Sequence, residues 1–332
     1  MALSGGADSL ALAVATAEAL RTGTSLAEGA GAVVVDHGLQ PGSAGVADRA
    51  AAIARRLGLD PVTVERVSVA STGAGPEADA RAARYAALRA AARRAGSHAV
   101  LLAHTRDDQS EQVLLGLARG SGTRSLAGMP ASRDQLVRPL LDLTRQDTEA
   151  ICRWAGIRWW QDPANADPAF LRSRIRTRVM PLLEDPVAGV GPGFAAALAR
   201  SAEIAAEDAE ALEQWSRQEY DRLADTSGWV SATGPGHRPD ATAPGRGIGH
   251  VFLPLEGLAA LPAAVRLRVI GFAVMAIGGE RPSRERVLAV DRLVATRSVG
   301  GGSAGPVQLP GGVTARRHRE AGCARLVLDA GR

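Results

Sequence analysis

Along the first half of the chain, apolar residues switch between two periods. LALAVATAEAL (10–20) carries them at helical spacing, whereas GAVVVDHG (31–38) is a short apolar run ending in polar residues, the pattern of a buried strand. The same reading predicts a helix over VADRAAAIARRLG (46–58), a strand over DPVTVERVSV (60–69) and a long helix over PEADARAARYAALRAAARRAG (76–96). HAVLLAH (98–104) predicts a strand, and DDQSEQVLLGLARG (107–120) a helix with glycine near its end. Strands alternating with helices imply an α/β fold, a doubly wound parallel sheet covered on both faces.

Unusual polar residues fall where those strands stop: Ser4–Ser9, Asp36–His37 and His104–Glu111. In a doubly wound sheet these positions share one rim, the carboxyl ends of the strands, where ligands bind. From about 185 the character changes. Residues 194–225 predict a long helix, and 226–250 (TSGWVSATGPGHRPDATAPGRGIGH) a Gly/Pro-rich loop or linker. A helical section follows over 257–298, and PVQLPGGVTARRHREAGCARLVLD (306–329) predicts two strands around a turn. The expected organisation is a nucleotide domain over 1–185 and a smaller, mainly helical domain over 190–332. Only Met-Ala-Leu precedes the first polar cluster, fewer residues than a strand usually has. The first strand is therefore expected to be clipped, although its place in the sheet should be central.

Composition narrows the function classes. Of the 332 residues, 46% are hydrophobic and 22% charged, a globular balance, and the net charge of +4 permits a polyanionic partner. There is no lysine, so all 39 basic side chains are arginine. That excludes a Walker P-loop, which requires Gly-Lys-Ser/Thr. Cys152 and Cys323 form no CxxC pair, which argues against a zinc site or a disulfide framework. With no apolar run of membrane length, a soluble, cytoplasmic protein is expected.

Candidate chemistry sits in the polar clusters. SGGADS (Ser4, Gly5, Gly6, Ala7, Asp8, Ser9) follows a strand and opens a helix, so its glycines let successive N–H groups face one concavity, an anion nest. Asp8 can hold a metal ion on the phosphates; a plain helix start is the alternative. Asp107, Asp108 and Glu111 share neighbouring helix faces, fitting either a hard-cation site or charges that favour a helix N-terminus. Arg81 and Arg84 lie three apart on one face, for phosphate or for solvent. FLRSRIRTRVMPLL (170–183) sets Leu171, Ile175 and Val179 as an apolar stripe, with Arg172, Arg174, Arg176 and Arg178 on the other faces. Guanidinium groups suit phosphate recognition.

Taken together, these stretches resemble a known family. SGGADS is similar to the SGGxDS pyrophosphate loop of the N-type ATP pyrophosphatases (the PP-loop superfamily). Within it the chain resembles the bacterial tRNA(Ile)-lysidine synthetases over residues 1–183. VVDHGL (34–39), EADARAARYAAL (77–88), LLAHTRDDQSEQVLLGLARGSGTRSLAGM (101–129), RPLLDLTR (138–145), WWQDPANAD (159–167) and FLRSRIRTRVMPLLE (170–184) carry the likeness. It departs at Thr105, Gln112 and Ser173, where the family has histidine, threonine and asparagine. The resemblance implies ATP and Mg²⁺ as cofactors, and as substrates free lysine and a tRNA(Ile) with a CAU anticodon. The C2 oxygen of the wobble cytidine would be adenylated and AMP displaced by the lysine amine, moving codon recognition from AUG to AUA. It places His104, Asp108 and Glu111 in the catalytic centre, to which Asp36 and Arg174 are also assigned. ATP is expected on Ser4–Ser9, Asp36 and Arg81, the metal on Asp8 and Asp108, and tRNA on Arg172, Arg176, Arg178 and the second domain. Either Glu111 or Asp36 would take the lysine proton, and pairing with a second copy is left open. Two rival expectations remain: a tRNA thiolase of the same superfamily, and a nucleotide-binding protein without chemistry.

Overall fold

The apolar run at 32–35 forms strand β2 (Ala32–Asp36), which pairs parallel with β1 (Ala2–Leu3) on one side and β3 (Val62–Arg66) on the other, Val34 lying opposite both Leu3 and Val64. The computed structural model describes residues 1–25, 27–38, 42–68, 73, 75–120, 122–225, 249–295, 305–320 and 323–330. Most of the expected Gly/Pro-rich loop (226–248) lies outside these. The crossovers between parallel strands are helices: α1 (Ala7–Arg21), α2 (Ser43–Arg56) and α3 (Pro76–Arg94). Alanines on the inner face of α2 (Ala47, Ala50, Ala51, Ala54) let it sit close to the sheet, in a core shared with Leu3, Leu10, Val34 and Leu59.

Beyond α3, β4 (Val100–Leu101) pairs parallel with β6 (Leu136–Val137), and β6 pairs antiparallel with β5 (Ser132–Arg133). The sheet therefore runs as two three-stranded ladders, with β1 at the edge of the first rather than at the centre of a continuous one. The reason is length: β1 and β4 each have two residues in a ladder and each pairs on one side only. The two ladders still share a core, since Ala2, Val33 and Val35 pack on Leu88, Val100, Leu102 and Leu136. Helices α4 (Arg106–Ala118), α5 (Gly122–Leu126), α6 (Arg145–Trp154), α7 (Leu171–Arg174) and α8 (Met180–Glu184) follow, with a π-helical turn, Ile175–Val179, between the last two.

By its contacts the chain divides into Met1–Ala206 and Glu207–Arg332, a division that falls within the long helix α9 (Phe194–Leu223). The second unit holds β7 (His250–Pro254), α10 (Leu255–Ala260), α11 (Ala263–Ala276), α12 (Arg284–Ala295), β8 (Val307–Leu309), β9 (Val313–Glu320) and β10 (Cys323–Ala330). Its four strands form an antiparallel sheet in the order β7-β10-β9-β8, not the simple hairpin the sequence suggests. β7 and β8 escape a pattern-based reading because runs of five and three residues are too short to show a period. Alternate residues of β7, β9 and β10 (Val251, Leu253, Val313, Ala315, Leu326, Leu328) face a core completed by Leu258, Val269, Ile270 and Leu293. Gly311 has φ +76°, and a Cβ there would lie 2.7 Å from the Glu280 amide nitrogen, so LPGGV needs glycine at this point.

Candidate active site

The SGGADS loop turns directly from β1 into α1. Gly5 has φ +84°, a conformation that side-chain-bearing residues rarely adopt. The loop is braced from within: the Ser4 amide donates to Ser9 Oγ (3.1 Å), and Ser9 Oγ donates to the Gly6 carbonyl (3.0 Å). From behind, the Trp160 amide donates to the Gly5 carbonyl (2.9 Å) and the buried Cys152 thiol to the Ala7 carbonyl (3.3 Å). Burial pushes that thiol's pKa up to about 11, so it is neutral and acts as a small packing group. No side chain caps the first turn of α1, which leaves its amides to an anion.

Helix α6 approaches the loop from the side. Thr144 and Asp147 form a capping box at its start, and the Arg145 amide donates to Asp107 Oδ2 (2.7 Å) of α4. Within α6, Thr148 Oγ1 donates to Asp8 Oδ1 (2.5 Å). The Arg145 guanidinium lies 3.7 Å from Asp8 Oδ2 and 3.7 Å from Asp108 Oδ1. Burial raises the Asp8 pKa and the Asp108 charge adds to the rise, while Thr148 and Arg145 oppose it.

Helix α4 carries the acidic centre. Thr105, standing where the family has histidine, is its N-cap: it accepts from the Asp108 amide, and Asp108 Oδ2 accepts from the Thr105 amide (3.0 Å). Asp108 thus turns Oδ1 outward, where Arg176 Nη2 donates at 3.0 Å and Arg172 Nη2 stands at 3.5 Å. Glu111, only 2% exposed, accepts on both oxygens: Oε1 from Arg176 Nε (2.6 Å), Oε2 from Arg172 Nε (3.0 Å) and Arg176 Nη2 (2.9 Å). Burial works against the Asp108 carboxylate, but Arg172, the Thr105 amide, Arg145 and Arg176 outweigh it and hold its pKa below the ordinary value.

The arginine-rich segment sorts differently from the expectation. Arg172 and Arg176 are one helical turn apart and share the face toward α4, where both bond to Glu111 in the acidic centre. Arg174, two residues from each, points away and donates to the Pro168 (2.8 Å) and Ala169 (3.0 Å) carbonyls, and Arg178 is exposed. Ser173 donates to the Ala164 carbonyl (3.3 Å).

His104 ends the β4 strand region with its Nδ1 buried and unpaired among the described residues; burial, Arg138, Arg81 and Arg172 bring its pKa down to about 4 against the pull of Asp108. Asp36 is buried and accepts from the Gly38 amide (3.0 Å), which with the Ser43 hydroxyl holds its pKa low. Arg81 donates to the Tyr85 hydroxyl (3.1 Å) and lies over the Tyr85 ring. Arg145 and Thr148 are the site groups that sequence reasoning missed. The capping-box spacing of TRQD (144–147) marks a helix start, and that signal would have drawn attention to the turn that holds both.

Among the described residues no group of three His, Cys, Asp or Glu side chains could hold a metal. Mg²⁺ needs fewer, since it takes one or two carboxylates and completes its shell with phosphate and water. Asp8 Oδ2 and Asp108 Oδ1, facing one cation from two elements, suit it.

An anion nest at a strand-to-helix turn, beside a carboxylate pair and two half-buried arginines, defines an ATP-handling α/β domain, and residues 1–183 match the family model of the PP-loop domain. Curated relatives extend the match over nearly the whole chain. The tRNA(Ile)-lysidine synthase of Leifsonia xyli is 48% identical over 310 residues (93% of this chain, 84% of that one). Those of Thermobifida fusca and Streptomyces coelicolor are each 44% identical, covering 96% and 100% of this chain and 88% and 85% of theirs. The chain belongs to the tRNA(Ile)-lysidine synthase family. Among solved structures it is similar to the U34-tRNA thiolase NcsA of Methanococcus maripaludis, with a TM-score of 0.51 and 16% identity over 62% of this chain and 71% of that one, a likeness of fold alone.

Proposed function

We propose that the chain ligates free lysine to C2 of the wobble cytidine of a CAU-anticodon tRNA(Ile), at the expense of ATP and through an adenylated tRNA. The observation that carries this reading is the convergence of the SGGADS loop with Asp108, Glu111, Arg172 and Arg176 in a chain whose relatives match it nearly end to end. The pyrophosphate of ATP sits on the Ser4–Ser9 amides at the start of α1. Mg²⁺, held by Asp8 and Asp108, would offset phosphate charge. Glu111 fixes the guanidinium groups of Arg172 and Arg176; their Nη1 groups, which no bond described above uses, remain for charge developing at the α-phosphate. Glu111 is on this account a positioning residue. Neither carboxylate expected to take the lysine proton stands free, since Asp36 is likewise engaged by Gly38 and Ser43.

The thiolase alternative lacks paired cysteines: Cys152 is buried behind the loop, and Cys323 lies in the second unit. That unit, with the exposed Arg178, is assigned to the grip on tRNA. No helix among the described residues is long and apolar enough to cross a membrane. The test is incorporation of labelled lysine into a CAU-anticodon tRNA(Ile) transcript with ATP and Mg²⁺, which should vanish in Asp108→Ala. ATP–pyrophosphate exchange without lysine incorporation would leave the loop standing and overturn the substrate.

A further inference from the structure

Arg145 occupies an unusual position among the basic side chains at the site. Arg172 and Arg176 make direct hydrogen bonds to their carboxylates, whereas the Arg145 guanidinium stands 3.7 Å from Asp8 Oδ2 and 3.7 Å from Asp108 Oδ1, beyond hydrogen-bond reach of either. Its main chain is fixed: the amide is tied to Asp107 Oδ2, and the capping box of Thr144 and Asp147 holds the turn around it. Only the flexible stem is free to swing, and the side chain keeps 29% exposure.

The two oxygens it faces are the two that suit Mg²⁺. A guanidinium and a metal ion cannot both stand between them. Asp108 Oδ1 keeps the hydrogen bond from Arg176 (3.0 Å) wherever Arg145 stands, so Asp8 Oδ2 is the oxygen that would face another negative charge with no cation of its own if Arg145 left without replacement. The nearest new anion, once ATP is seated on Ser4–Ser9, is its own phosphate chain, and a guanidinium matches phosphate oxygens two at a time.

We propose that Arg145 is a placeholder cation: while the site is empty it neutralises Asp8 and occupies the space between Asp8 and Asp108, it yields that space to Mg²⁺ when ATP enters, and it moves onto the leaving pyrophosphate. The inference rests on the assignment of Asp8 and Asp108 to the metal. It makes binding of metal and nucleotide mutually dependent, because the metal meets a competing charge until phosphate draws that charge away.

The test uses the full chain and Mn²⁺, whose free form is counted by electron paramagnetic resonance, without nucleotide. Arg145→Gln should bind Mn²⁺ about tenfold more tightly than wild type, yet bind the Mg²⁺ complex of a non-hydrolysable ATP analogue about tenfold more weakly. Opposite signs in one variant are not the signature of a damaged fold, and matched circular dichroism spectra would confirm that it folds. Asp8→Asn should weaken Mn²⁺ binding. Mn²⁺ binding no tighter in Arg145→Gln than in wild type, with Asp8→Asn impaired, would overturn the placeholder and keep the metal site. Unchanged Mn²⁺ binding in Asp8→Asn would overturn the metal assignment, and the placeholder with it.

Discussion

Glu111 carries a buried negative charge whose two oxygens are consumed by two arginines, and this is the residue on which the site's geometry turns. Glu111→Gln keeps the shape but removes the charge, leaving Arg172 and Arg176 with Asp108 alone. Breaking a buried pair costs about 3–5 kcal/mol; with both arginines about a quarter exposed, about 2–3 kcal/mol is expected, read as a lower denaturation midpoint. Lysine incorporation should fall on the order of a hundredfold, because the arginines lose their aim. His104 makes a prediction in pH. Its folded pKa of about 4 lies below the ordinary 6.5, so the folded protein holds the neutral ring. As pH falls below 6.5 the unfolded chain takes up a proton that the folded one refuses, and stability declines until about pH 4. The contribution is about 3 kcal/mol at most. Thermal melts of His104→Gln from pH 7 to 4.5 should therefore show a shallower decline than wild type; an equal slope would reject a buried neutral histidine.

Helix α6 is the element that joins the loop to the acidic centre, since Asp107 holds its first residue and Thr148 holds Asp8. Thr148→Val fills the same space without the donor. With Asp8 deprived of its closest partner, a loss of about 1–2 kcal/mol in stability is expected, together with weaker nucleotide binding by calorimetry. None of this is visible to periodicity. Helix α2 is legible because Ala47, Ala50, Ala51 and Ala54 repeat at helical spacing, and β2 because Val33–Val35 form an unbroken run. The polar ends of β2 and β4 likewise point to one rim. A hydrogen bond between residues 8 and 148 leaves no trace in local pattern, and only the fold brings the two together. The same holds for the four arginines of 172–178, which alternate along the sequence: the helix places residues 172 and 176 on one side and turns 174 to its own loop. Family likeness set Arg174 in the catalytic centre and gave Arg172, Arg176 and Arg178 to tRNA, whereas in the fold it is Arg172 and Arg176 that bond to Glu111.

At the scale of the molecule, the net charge of +4 is modest for a protein that handles RNA, and much of the arginine around the site is already neutralised by acids. Affinity for tRNA should therefore rest on exposed groups such as Arg178. Arg178→Ala is expected to weaken tRNA binding and lower the slope of log affinity against log salt by about 1, while leaving ATP binding unchanged. Filter-binding titrations across a salt series would check this, and an unaltered slope would remove Arg178 from the tRNA surface. The two cysteines divide between the two units, one sealed behind the loop and one in the open on β10. The molecule thus carries its own clock. An alkylating reagent marks Cys323 at the speed of a free thiol, whereas Cys152 waits until the floor of the loop parts from α6, and the lag between the two labels times how often the empty cradle comes undone.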